Sequence, residues 1–155
     1  MESLRRRCER RLRGVRIPQP FDLDAFCREV EARRGRRLLR RPVPGLSAHA
    51  PCGLWIGTPQ ADHVFYDAGT SPLHAEHIVL HELAHILSGH TLDASVGALF
   101  PDIDPATVTR MLGRVAYTTV QEREAEMMAS LIRGRSVRPP RTTIGRVAHA
   151  FGFTE

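Results

Sequence analysis

The chain has 155 residues, 42% of them apolar, which is enough for one hydrophobic core and too short for a second domain of useful size. All 22 basic residues are arginine, and 14 of them fall in residues 1–41 beside 6 acidic residues, whereas residues 42–155 hold 8 arginines and 11 acidic residues. No apolar run approaches the roughly 18 residues of a membrane span, and the arginine-rich start lacks the apolar segment of a signal peptide. The three cysteines are widely spaced and predict no disulfide framework. We therefore expect a cytoplasmic protein that does not contact a membrane.

The first predicted element is a basic helix in residues 1–20, which we treat as an N-terminal arm. Its apolar residues recur with the period of one helix face, at Leu4, Cys8, Leu12 and Val15. One interpretation is that the arginines bind nucleic acid or an acidic partner. We favour a simpler alternative, in which the apolar face packs on the protein and the arginines stay in water, because no aromatic residue is interleaved with them.

Residues 21–134 are predicted to form an α+β domain that is mostly helical. A helix is expected at residues 22–34 with Gly35 at its end, and the sequence RRLLRRPVPG then predicts a short strand. Two β-rich runs, Leu54–Thr58 and Val64–Asp67, flank the turn-forming sequence PQAD. We expect these two runs to pair as a β-hairpin.

The helices that follow this hairpin carry most of the histidines and several carboxylates. One helix is predicted to start at residue 70 or 71, with Pro72 in its first turn, and to run to residue 88. Further helices are expected at 105–112 and from residue 118 or 119 to about 134, and residues 135–155 are expected to form a C-terminal linker and a short helix at 143–150.

The sequence HELAH, residues 81–85, is an HExxH motif on the predicted histidine-rich helix. Two residues four apart rise about 6 Å and lie on one helix face, so His81 and His85 can both bind one zinc ion at roughly 2.0–2.1 Å. Glu82 flanks that site and can act as the general base for an activated water. Burying two imidazoles and a carboxylate in an apolar helix without a common partner is costly, so we predict a zinc site.

A catalytic zinc usually has three protein ligands, and the other histidines of the same region do not supply the third. His90 is one residue short of the position that a metzincin motif requires. His77 shares the face of His81, but one straight helix would then have to present three ligands over two turns. We interpret His74, His77 and His90 as neighbours of the site or as solvated residues.

The predicted helix at 119–134 offers three carboxylates. Glu122 and Glu126 are four apart and share a face with apolar residues, whereas Glu124 points about 200° from Glu122 and is expected to lie in solvent. Thr119 and Glu122 also have the spacing of a capping box. One of the two inward carboxylates should be a metal ligand, and the other should hydrogen-bond to a metal-binding histidine and hold its ring in place.

A β-hairpin leading into HELAH, followed by EREAEMMASLI, resembles the ImmA/IrrE family of cytoplasmic zinc metallopeptidases, which have a gluzincin-like site. The resemblance covers roughly Leu23 to Arg133 and implies a small zincin-like fold. It assigns the roles as follows: zinc ligands His81, His85 and Glu122, general base Glu82, and supporting carboxylate Glu126. Glu126 replaces the asparagine or aspartate that is usual in the family.

By this resemblance the protein is a zinc endopeptidase that cleaves a cytoplasmic protein, for which a helix-turn-helix transcriptional repressor is the suggested substrate. An additional donor to the oxyanion is expected, and the unranked candidates are Tyr117, Tyr66, His149 and His90. The alternative function is a non-catalytic regulatory or toxin-like protein-interaction module that retains the zinc site. Direct DNA binding through the N-terminal arm is the weakest of the three hypotheses.

Overall fold

A computed structural model describes residues 1–46, 53–90 and 117–136, with the side chain of Ser136 left out. The predicted helices at 105–112 and 143–150 lie outside the described residues, as does His149. The described ranges form an α+β fold with four helices and a three-stranded sheet, so the predicted α+β class is confirmed. The elements are α1 (Leu4–Arg11), α2 (Leu23–Arg34), β1 (Arg37–Val43), β2 (Gly53–Gly57), β3 (Ala61–Asp67), α3 (Pro72–Ser88) and α4 (Thr119–Ser136).

Short-range capping sets the ends of the two central helices as the sequence predicts. The Asp22 carboxylate accepts a hydrogen bond from the Ala25 N–H at the start of α2, and the Ser71 hydroxyl accepts one from the His74 N–H at the start of α3. These bonds satisfy backbone donors that the first helical turn leaves free. α3 ends at Gly89, whose φ of 70° is a left-handed conformation that favours glycine.

The sheet has the strand order β1-β3-β2. β2 and β3 form the predicted hairpin, with Leu54 opposite Phe65 and Trp55 opposite Val64. β1 pairs with β3 in parallel, a long-range pairing that the sequence analysis did not predict. β2 is an outer strand of this sheet, and α3, which carries the HExxH motif, packs against β2 and β3.

The hydrophobic core joins the N-terminal helix to the rest of the fold. Cys8, Leu12 and Val15 are buried in the same cluster as Ala125 and Met128 of α4. Burying a side chain of this size contributes about 1.5–3 kcal/mol, so α1 is held firmly against α4. This finding agrees with the interpretation of a helix packed by its apolar face.

Within the described ranges, no helix combines the length and apolar character that crossing a membrane requires.

Candidate metal centre

Three side chains converge between α3 and α4. His81 Nε2 lies 3.2 Å from His85 Nε2 and 2.9 Å from Glu122 Oε2, and His85 Nε2 lies 3.7 Å from the same oxygen. Tetrahedral zinc ligands at 2.0–2.1 Å would be about 3.3–3.4 Å apart, so this triangle has the size of a zinc site. The cluster of His81, His85 and Glu122 could therefore hold a metal ion.

The helix start of α4 explains why the Glu122 carboxylate is available to the histidines. The predicted capping box of Thr119 and Glu122 is wrong by one residue, because the reciprocal bonds join Thr118 and Gln121. The Thr118 N–H donates to Gln121 Oε1, and the Gln121 N–H donates to Thr118 Oγ1. Glu122 contributes only its backbone N–H to the Thr118 carbonyl, so its side chain extends towards α3.

Glu126, one turn after Glu122, lies behind His81. Its Oε2 atom is 3.3 Å from His81 Nδ1, the ring nitrogen on the side away from the cluster, and 3.9 Å from His77 Nε2. A carboxylate in this position orients a metal-binding imidazole and raises its basicity. The described geometry therefore separates the two carboxylates, with Glu122 on the side of His81 that faces the cluster and Glu126, whose side chain is 56% exposed, on the opposite side.

Glu82 is buried beside the cluster, with 2% of its surface exposed. The backbone of Trp55 on β2 forms a hydrogen bond with its carboxylate, while Oε2 has no partner among the described residues. Burial, together with repulsion from Glu122, raises the pKa of Glu82 to about 8. A carboxylate held this way needs a cation or a proton close by.

The approach of β2 to Glu82 depends on Gly53. A Cβ atom at this position would lie 2.7 Å from Ile78 Cγ2, 2.7 Å from the Phe65 carbonyl oxygen and 3.2 Å from Glu82 Cγ. Real Cβ contacts are not this short, so only glycine allows the strand to approach α3 so closely.

His85 is fully buried, and its ring contacts Tyr117 and His90. The Tyr117 ring stacks on it with centroids 3.6 Å apart and planes within 11°, and His90 Nδ1 lies 2.9 Å from His85 Nδ1. Burial, aided by the positive charge that His81 and His90 would carry, lowers the pKa of His85 to about 3. The imidazole is therefore neutral, which is the form that binds a metal.

The four candidate oxyanion donors are in different situations. The Tyr117 hydroxyl is buried without a partner among the described residues, and burial together with the Glu82 and Glu122 carboxylates raises its pKa, so it stays protonated.

Tyr66 lies opposite Gly53 on β3 and packs against the hydrophobic core. His90 has both ring nitrogens engaged by His85 and Glu124. Of these three, Tyr117 combines a ring stacked on His85 with a buried hydroxyl that has no partner among the described residues.

Glu124 contradicts the expectation that it lies in solvent. It is 5% exposed, because α1 packs on the face of α4 that points away from Glu122. Its Oε2 lies 2.9 Å from His90 Nε2, and its Oε1 accepts from Arg7 Nε at 3.0 Å and from Arg11 at 2.6 Å. Burial alone would raise the pKa of Glu124, but hydrogen bonds from His90 and Arg7 and the charge of Arg11 lower it below its usual value.

The sequence contains one signal for this contact. Arg7 and Arg11 are four apart and flank the apolar stripe of α1, so a helix packed by that stripe has to bring both guanidinium groups close to its neighbour. An inward carboxylate on the neighbour is the natural partner. The earlier interpretation that all the arginines of this helix stay in water is therefore wrong for these two.

Comparisons with protein-family models, with curated proteins and with solved structures give no significant match for this chain. The residues of the site are therefore the guide to function. Three features stand out: the size of the triangle formed by the candidate ligands, the buried carboxylate beside it, and the partners that hold both histidine rings.

Proposed function

We propose that this protein is a zinc-dependent metallopeptidase with a zincin-like fold, related to the ImmA/IrrE family that its motifs resemble. The observation that carries the proposal is the convergence of His81, His85 and Glu122 beside the buried, half-unpartnered carboxylate of Glu82. A structural role alone gives no reason to bury that carboxylate without a partner for its second oxygen. Peptide hydrolysis uses each of these groups.

The chain's own residues divide the work of hydrolysis. A bound zinc ion supplies Lewis-acid polarisation of the scissile carbonyl and activation of a water. The Glu82 carboxylate takes a proton from the water and returns it to the leaving amine. Burial raises the pKa of Glu82 to about 8 without a metal, and a bound cation would lower it again, so that the carboxylate could be ionised and accept the proton. The Tyr117 hydroxyl donates to the oxygen on which negative charge develops.

The substrate class follows from the resemblance and is also a proposal. A zincin-like site acts on an extended peptide segment, and the ImmA/IrrE likeness suggests a cytoplasmic protein such as a helix-turn-helix transcriptional repressor. The protein would then act in the cytoplasm as a regulatory protease.

The test combines metal analysis with hydrolysis of casein-derived peptides followed by mass spectrometry. Wild-type protein is expected to hold one zinc ion per chain and to cleave peptides in a chelator-sensitive way. Glu82→Gln should keep the zinc and lose the hydrolysis, whereas His81→Ala should lose both. His74→Ala changes an exposed histidine of the same helix and is the matched control that should keep both.

A zinc content far below one ion per chain, unchanged by His81→Ala, would contradict the metal site. Full retention of hydrolysis in Glu82→Gln would contradict the assigned base. Each result identifies which part of the proposal has failed.

A second candidate function is a non-catalytic regulatory or toxin-like interaction module, which the exposed arginines of the N-terminal segment favour. Arg6, Arg10 and Arg13 are exposed, and a protein or nucleic-acid partner could bind them. Deleting the segment would remove Leu12 and Val15 from the core, so the sharper test is the triple change of the three arginines to glutamine. Loss of cellular function in this variant, with full function in Glu82→Gln, would favour the module over the enzyme.

A further inference from the structure

A continuous path of polar contacts runs from the N-terminal helix to the candidate metal centre. Arg7 and Arg11 bind one oxygen of Glu124, the other oxygen of Glu124 lies 2.9 Å from His90 Nε2, and His90 Nδ1 lies 2.9 Å from His85 Nδ1. His85 then faces the cluster through Nε2. The path joins three segments that are distant in sequence.

Gly89 explains how His90 reaches a residue on the helix that has just ended. The left-handed conformation of Gly89 reverses the chain, and the His90 N–H donates to the His85 carbonyl at 3.1 Å. This is the backbone pattern of a glycine-terminated helix end. It brings the two imidazole rings to within 5.1 Å between centroids.

The hydrogen-bond pattern along this path is determined once a metal occupies His85 Nε2. The His85 proton must then be on Nδ1, so Nδ1–H donates and His90 Nδ1 accepts. His90 therefore carries its own proton on Nε2, where Glu124 Oε2 accepts it. Each contact has one donor and one acceptor, and a neutral His90 satisfies both of its neighbours.

The charges and the burial at the far end of the path support the same assignment. His90 and Glu124 each have 7% of their side chains exposed, so water competes little for these contacts. The Glu124 carboxylate would be costly to bury alone, and Arg7 and Arg11 compensate its charge from α1. The N-terminal helix thus keeps Glu124 ionised and in place as the acceptor for His90.

We propose that His90 and Glu124 are positioning residues that fix the tautomer and the orientation of His85, and that α1, through Arg7 and Arg11, completes the metal centre. This inference rests on the zinc site of the proposed function but not on peptidase activity. It gives the arginine-rich N-terminal helix a role inside the protein in place of a role as a free arm.

The first experiment measures zinc affinity by competition with a chromophoric chelator. His90→Leu removes the acceptor for His85 Nδ1 and should weaken zinc binding by about 10–100-fold, the usual effect of losing such a supporting partner. His90→Gln supplies an amide oxygen to accept from His85 and an NH₂ group to donate to Glu124, so it should restore most of the affinity. Cobalt-substituted protein should show a changed d–d spectrum in His90→Leu and a nearly unchanged one in His90→Gln.

The second pair of variants tests the contribution of α1, and both double variants remove two positive charges. Arg7→Gln/Arg11→Gln should weaken zinc binding, because the Glu124 carboxylate loses both of its cations. Arg5→Gln/Arg10→Gln changes two exposed arginines of the same helix, which pair with Glu9 and Glu2. This control should leave the zinc affinity within about twofold of wild type.

A third measurement needs no variant that could fail to fold. Long-range ¹H–¹⁵N spectra of zinc-loaded wild-type protein should show His90 as the neutral Nε2–H tautomer. A His90 protonated at Nδ1, or zinc affinities of His90→Leu and Arg7→Gln/Arg11→Gln equal to wild type, would overturn the inference while leaving the zinc site intact. If wild-type protein binds no zinc, both this inference and the proposed function are wrong.

Discussion

The ring of Tyr117 lies flat on the ring of His85, with centroids 3.6 Å apart. This contact places a residue from just before α4 directly on a candidate ligand of α3. The Tyr117 hydroxyl is buried and has no partner among the described residues. The stacked ring and the unpartnered hydroxyl predict two separable contributions of one side chain, one to metal binding and one to catalysis.

Replacing Tyr117 by Phe should separate these contributions. The ring stack remains, so zinc affinity is expected to stay within about twofold of wild type. Loss of a donor to the oxyanion should lower kcat by about 10²–10³-fold, with little change in KM. Steady-state kinetics on a cleaved casein peptide provide the measurement, and an unchanged kcat would exclude Tyr117 as the donor.

The two carboxylates of α4 should differ in what their removal does to metal binding. Glu122→Ala removes a candidate ligand, so zinc should be lost at concentrations that saturate wild type. Glu126→Ala removes only the partner of His81 Nδ1 and should weaken zinc binding by about 10–100-fold. Chelator competition distinguishes the two, and the reverse order of effects would make Glu126 the ligand.

The metal-free protein should become less stable as the pH rises, through Glu82. The pKa of Glu82 is raised to about 8 in the folded protein from an ordinary value of 4.5, so the folded state binds the proton more tightly than the unfolded state. Stability from this group is therefore complete below pH 4.5 and is lost as the pH rises to about 8. The lowered pKa of His85, about 3 against 6.5, acts in the opposite direction as the pH falls below 6.5.

Glu82→Gln isolates the first of these effects. Relative to wild type, the metal-free variant should gain stability between pH 5 and pH 8, by at most about 1.4 kcal/mol per pH unit. Urea unfolding at several pH values measures this difference, and saturating zinc should reduce it because the cation favours the charged carboxylate. A difference that stays constant with pH would mean that Glu82 is ionised in the metal-free fold.

Gly53 should be intolerant of a side chain. Gly53→Ala would force a Cβ atom to 2.7 Å from Ile78 Cγ2 and from the Phe65 carbonyl oxygen, and overpacking of this kind costs about 1–3 kcal/mol. The shift would also displace Glu82, so hydrolysis should fall more than zinc binding. Gly134→Ala is the matched control: its Cβ would meet no atom within 4 Å, and alanine should stabilise a helix by about 0.5–1 kcal/mol.

Features that depend on neighbouring residues could be predicted from the sequence, whereas features that depend on contacts between distant segments could not. The ends of α2 and α3, the HExxH helix and the hairpin were predictable, because caps, turns and spacing act over a few residues. Helical periodicity correctly placed Glu122 and Glu126 on one face of α4, towards His81, but the expectation that both point inward was wrong, because their side chains are 44% and 56% exposed. The burial of Glu124 was not predicted, because it depends on α1 packing against α4 from more than one hundred residues away.

The position of the His90 ring could not be predicted from the sequence either, although His90 lies close to His85 in the chain. Its spacing correctly indicated that it does not follow the metzincin pattern, but the sequence did not specify where the ring would lie. Its place against His85 depends on the left-handed Gly89 turn, and its second contact depends on the buried Glu124. Predicting the position of this ring requires both the turn at Gly89, which is a local feature, and the contact with Glu124, which is a long-range one.

The central claim is that one zinc ion is bound by His81, His85 and Glu122. Diffraction data collected on either side of the zinc absorption edge test it most directly. The account predicts a single anomalous peak about 2.0–2.2 Å from His81 Nε2, His85 Nε2 and Glu122 Oε2. No peak between α3 and α4 in zinc-saturated crystals, or a peak bound by Glu126 and His77 without Glu122, would contradict it.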